Sequence, residues 1–151
     1  MIKILSKFFM QNHILSVTLI AWVLTQTIKV TLGVIREKRF DFRWLIGTGG
    51  MPSSHAAGAS ALALSSGLDL GFSSPIFALA FVFALVTMFD AQGVRRCSGK
   101  QAGVLNKIME DIYWQGKVHE GKLKELIGHT PIQVLAGALI GIMIALIFDI
   151  N

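Results

Sequence analysis

Two short segments of this 151-residue chain carry the residue types that handle phosphate and protons. Gly-Gly-Met-Pro52-Ser53-Ser54-His55 sets two hydroxyls and an imidazole directly after a glycine-rich turn and a proline. Gly-His129-Thr130-Pro131-Ile-Gln133 repeats the construction with one imidazole, a threonine able to cap, and a proline. Proline at the first helical position, near a hydroxyl residue, marks a helix start, so each segment predicts a helix N-terminus beside a histidine. Amide N–H groups and partial positive charge at such an end favour an anion. Lys29, Arg36, Arg95 and Arg96 add fixed positive charge, and a guanidinium can grip two phosphate oxygens at once. Asp90 directly follows an apolar run, where ionisable groups are rare and often functional. Taken singly, the prolines and glycines merely punctuate helices, and Lys29 is a lysine that snorkels to water. The functional reading rests on both histidine segments falling on one face.

The elements that must position these residues follow from composition. Charged residues make up only 15% of the chain, apolar residues 53%, and mean hydropathy is +0.62. A soluble domain carries about 25% charged residues, so a disordered chain, a nucleic-acid-binding tail and an ordinary cytosolic enzyme are excluded. The single cysteine, Cys97, excludes an internal disulfide framework and a cysteine-based zinc site. A span needs roughly 20 mostly apolar residues, and four stretches approach this, at about 14–35, 52–70, 73–89 and 131–148. The expected fold class is all-α, a polytopic membrane helical bundle of about four transmembrane helices forming a single domain over residues 1–151. Leu105, Ile108, Met109 and Ile112 recur at helical spacing, which predicts an amphipathic interfacial helix over 100–114. The second span, rich in Ala, Ser and Gly, suits a helix enclosed by others. Gly137-x-x-x-Gly141 suits close packing either within the bundle or between subunits of a homo-oligomer. Lys3 and Lys7 precede the first apolar run without a small-x-small cleavage site after it, so residues 1–13 are expected to be retained at the interface.

Four alternating spans gather the unusual polar residues at one end. Lys29 and Arg36 close the first span; Ser53, Ser54 and His55 open the second. Asp90 closes the third, with Arg95 and Arg96 just beyond, and His129 precedes the fourth. The opposite end receives Asp69, Asp149 and little else ionisable beyond the N-terminal lysines. Most basic residues, from Lys29 to Lys124, fall on the motif-bearing face, which the positive-inside rule turns toward the cytoplasm. The expected location is the inner (cytoplasmic) membrane of a bacterium.

GGMPSSHA, FDAQGVRR and ELIGHTPIQVLAG, in this order from about Gln26 onward, resemble a divergent branch of the phosphatidic-acid-phosphatase type 2 and vanadium-dependent haloperoxidase superfamily. The wider superfamily carries Lys-x6-Arg-Pro, then Pro-Ser-Gly-His, then Ser-Arg-x5-His-x3-Asp. Lys29 and Arg36 keep the first spacing, with Glu37 in place of proline, and Ser54 replaces the glycine of the second motif. The resemblance implies that Ser53 and the adjacent amides bind phosphate and that His55 protonates the leaving group. It also implies that His129 is the nucleophile. Leu123 stands where the third motif has arginine and Gln133 where it has aspartate. Arg95 and Arg96 could supply the missing guanidinium, and Asp90 could orient His129.

The expected activity is hydrolysis of a lipid or isoprenoid phosphate through a phosphohistidine, with no cofactor and no metal, since fixed positive charges neutralise the phosphoryl oxygens. The expected partners are the lipid phosphate and membrane lipids, with no nucleic acid. Two other readings stand beside it: a non-catalytic binder or transporter of phosphorylated lipids, which the Leu123 and Gln133 departures favour, and metal-dependent hydrolysis using His55, Asp90 and His129. The last lacks ligand spacing such as His-x3-His.

Overall fold

A computed structural model describes residues 12–40, 42, 44, 50–93, 101–109 and 129–149. Among the described residues four long helices form a bundle: α1 (His13–Glu37), α2 (Ser54–Leu70), α3 (Pro75–Gln92) and α4 (Pro131–Asp149). Residues 101–109 are also helical, and no strand occurs among the described residues. The protein is an all-helical membrane bundle.

Local chemistry sets the helix ends. Asn12 caps α1 by accepting the Leu15 N–H at 3.0 Å. Lys38 closes that helix in the left-handed conformation, φ 51°, donating its N–H to Val34 O. Ser74 caps α3 through the Phe77 N–H at 3.1 Å, with Pro75 as the first helical residue. The α2 start corrects the sequence expectation. Ser53 is the N-cap, and Pro52 lies one residue before it, after a cis peptide bond, instead of occupying the first helical position. Pro131 does open α4.

The packing inverts that of a soluble domain. Small residues lie inside: Val17, Ala21, Ala61 and Ala145 form one cluster with Ile144, and Ala59, Ala63, Ala80 and Ala84 form another. Large apolar residues such as Val23, Leu79, Val86, Phe89, Ile132 and Met143 point outward. Lipid tails are as apolar as those side chains, so they gain nothing by turning inward, and helix association comes from close backbone approach. The helix α2 is central. It touches α1, α3 and α4, and most of its Ala, Ser and Gly residues are buried.

Gly137 and Gly141 show how close the approach is. A Cβ added at Gly137 would run into the Ser53 carbonyl oxygen, and one at Gly141 into the Ala57 carbonyl oxygen. The small-residue motif is therefore used within the chain, between α4 and α2, which decides between the two packings the sequence left open.

The lengths of α1, α3 and α4 (25, 18 and 19 residues) and their mean hydropathies of 1.5, 1.8 and 2.3 suit them to cross a membrane. The second expected span is realised as the shorter α2, 17 residues, enclosed by the others. The expected amphipathic segment is helical over the described residues 101–109. Over 101–109 the buried residue is Asn106, whereas Leu105 and Ile108 are about half exposed, so its apolar residues face outward. Ile112 lies outside the described residues.

Candidate active site at the joined starts of α2 and α4

The Ser53 N–H donates to Gln133 O at 3.1 Å, which ties the start of α2 to the first turn of α4. The His129 N–H donates to Ala91 O at 3.1 Å and fastens the same corner to the end of α3 beside Asp90. From α1, the Gln26 side chain reaches across: its Oε1 accepts the Ser54 hydroxyl at 2.8 Å and its Nε2 donates to Trp44 O at 2.8 Å. Three helix ends and the middle of α1 thus meet at one corner. Two helix N-termini sit together there, so their positive dipole ends add.

His129 is 3% exposed, and its Nδ1 lies 3.3 Å from Gln133 Oε1. The same Oε1 accepts the Thr130 N–H at 3.0 Å, while the Gln133 N–H donates to Thr130 Oγ1 at 3.4 Å. This reciprocal pair is a capping box. It also fixes chemistry. An amide N–H donor requires an oxygen opposite, so the Gln133 carboxamide orientation is set, and an acceptor facing Nδ1 places the ring proton on Nδ1. In the neutral ring, His129 Nε2 is then the nitrogen that carries the lone pair.

Lys29 is 9% exposed. A Cβ on Gly50 would come within 3.3 Å of Lys29 Cδ, so the lysine stem lies against a backbone position that only glycine suits, at φ 85°. Arg36, seven residues on, shares the Lys29 face of α1, because seven residues advance a helix by nearly two full turns; it is exposed in the last turn. Thr25, one turn before Lys29, buries its hydroxyl with no hydrogen-bond partner among the described residues.

The remaining expected site residues divide. Ser53 is fully buried, with its hydroxyl accepting the Ala56 N–H at 3.4 Å. Ser54 is buried and donates to Gln26. Both hydroxyls serve helix ends and helix contacts in this conformation. His55, between them and Ala56, is exposed, and Asp90 is half-buried. Arg95, Arg96, Cys97 and Leu123 lie outside the described residues.

Residues 10–144 match the Divergent PAP2 family. The chain is also 41% identical over 147 residues to the uncharacterized membrane protein YuiD of Bacillus subtilis (strain 168), covering 90% of this chain and 93% of that protein. The chain belongs to the Divergent PAP2 family.

No solved structure matches this member of the Divergent PAP2 family. Two further residues shape this corner, and each carries a signal in the sequence. Gln26 is a polar residue inside a span, and a glutamine in an apolar run signals an interhelical hydrogen bond. Gln133 stands where the wider superfamily has aspartate, and Thr130-x-x-Gln133 before an apolar run spells a capping box.

Proposed function

We propose that the chain is a membrane phosphatase that hydrolyses a lipid or isoprenoid phosphate through a phosphohistidine on His129. The observation that carries this reading is the His129 Nδ1 contact to Gln133 Oε1, which assigns Nε2 of the neutral ring as the nucleophile. In the first step Nε2 attacks phosphorus and the ester P–O bond breaks. His55 delivers its proton to the departing alcohol oxygen. The imidazole keeps its Nδ1 proton and becomes positively charged. In the second step His55 takes a proton from water, the resulting hydroxide attacks phosphorus, the P–N bond breaks, and neutral imidazole returns.

Lys29, the paired N-termini of α2 and α4, and Arg95 and Arg96 neutralise charge spread over the phosphoryl oxygens. Arg36 attracts the anion from farther out, and Asp90 steadies the end of α3 against which His129 is hung. Ser53 and Ser54 act by holding the start of α2. A lipid phosphate is the favoured substrate because the corner lies at the ends of apolar helices, at headgroup level. The motif-bearing face is assigned to the cytoplasmic side of a bacterial inner membrane from its excess of Lys and Arg.

A second reading, a binder of phosphorylated lipids without turnover, is favoured by one feature: neutral Gln133 stabilises the charged phosphohistidine less than a carboxylate would. Phosphate release by the purified protein from diacylglycerol-type and polyprenyl phosphates separates the two. Release that vanishes in His129→Ala supports the phosphatase; wild-type binding without release supports the binder.

A further inference from the structure

At the other end of the bundle, three side chains from three helices converge. His13 is the first residue of α1, Asp69 lies in the last turn of α2, and Asp149 is the last residue of α4. His13 Nδ1 is 3.2 Å from Asp69 Oδ2 and 3.2 Å from Asp149 Oδ1. One atom from each residue falls within 4.8 Å of the others. We propose that His13, Asp69 and Asp149 bind a divalent first-row transition cation of the zinc class.

The spacing suits such an ion. Zinc holds nitrogen and oxygen donors at about 2.0–2.2 Å, so neighbouring donors of a tetrahedral shell stand roughly 3.3–3.5 Å apart. The two contacts to His13 need only tenths of an ångström of expansion. One imidazole with two carboxylates is a donor set for zinc, manganese or iron, whereas calcium and magnesium prefer oxygen alone.

A second observation comes from Asp149. Its side chain is 5% exposed; Oδ2 accepts the Ser65 hydroxyl at 3.1 Å, but buried Oδ1, facing His13, has no hydrogen-bond partner among the described residues. A single Nδ1 proton shared between two carboxylates bonds each only weakly, while a cation between all three atoms satisfies each. Electrostatics point the same way. Both carboxylates lie at helix C-termini, where the dipole is negative, so each is destabilised until positive charge arrives. His13 is the ion-pair partner that the described residues give either carboxylate. With His13 44% and Asp69 31% exposed, the open side reaches water, which completes the shell and lets the ion exchange.

The bound ion would staple α1, α2 and α4 at the end away from His129. This site is independent of the phosphatase reading, because its residues share nothing with the corner described above.

The test uses the full chain in detergent, stripped with chelator and titrated with Co²⁺ and Zn²⁺. One equivalent per chain is expected, with cobalt d–d absorption and a rise in the midpoint of thermal unfolding. Both signals are lost in His13→Ala and Asp69→Asn, whose residues are partly exposed and tolerate change, and are kept in His129→Ala. Absence of saturable uptake by the wild type, or uptake undiminished in both variants, overturns the proposal and leaves a plain His–Asp–Asp ion cluster.

Discussion

His129 Nδ1 faces Gln133 Oε1 at 3.3 Å, one helical turn away, and that oxygen is held in place by the Thr130 N–H. A single carboxamide therefore caps α4 and sets which ring nitrogen of the histidine is basic. Replacing carboxylate with carboxamide keeps the orientation and gives up the charge.

Gln133→Leu removes both roles. Loss of the cap is expected to lower stability by about 1 kcal/mol, and loss of the Nδ1 acceptor to lower phosphate release by at least about 100-fold. Gln133→Glu keeps the reach and adds charge, so release is expected to rise about tenfold, equivalent to about 1.4 kcal/mol of barrier. Thermal unfolding and phosphate release on the same preparations check the two effects.

Gly137→Ala drives a methyl group into the Ser53 carbonyl. A packed backbone must move to admit it, at about 1–3 kcal/mol, and the start of α2 moves with it, so activity falls alongside stability. Gly141→Ala meets Ala57 in the same way. Leu139→Ala, on the outward face, is the control and leaves both nearly unchanged. Unfolding in detergent micelles measures the series.

Gln26→Leu strands the Ser54 hydroxyl and the Trp44 carbonyl. A buried polar group left without its partner costs about 1–3 kcal/mol. Adding Ser54→Ala to Gln26→Leu is expected to recover part of that loss, because the hydroxyl that lacked a partner is gone. A double-mutant cycle on unfolding free energy reads the coupling.

Lys29→Met keeps a stem of similar length against Gly50 and removes the charge. The fold is expected to survive intact. Inhibition by inorganic phosphate is expected to weaken by roughly 10- to 100-fold, the worth of one charged hydrogen bond. An unchanged inhibition constant would remove Lys29 from the phosphate site.

How much of this was legible in the sequence depended on whether the signal was local. Small residues along 54–70 announced an enclosed helix because burial among helices selects for them, and α2 is that helix. Two neighbouring helix starts could be anticipated from alternation of the spans. Pro52 misled by one register position, since a proline before a serine cap resembles a proline at the first helical position. The apolar spacing over 101–109 shows an outward apolar face but not that Asn106 is the residue turned inward. His13, Asp69 and Asp149 are separated by tens of residues, and only the pairing of α1, α2 and α4 along their lengths brings them together.

The most direct measurement is an acid-sensitive phosphoenzyme. Wild-type protein turning over a phosphorus-labelled lipid phosphate, quenched in alkali, is expected to retain label that survives base, is released by acid, and is absent from His129→Ala. Turnover with no trapped label, or equal label in His129→Ala, would contradict the account.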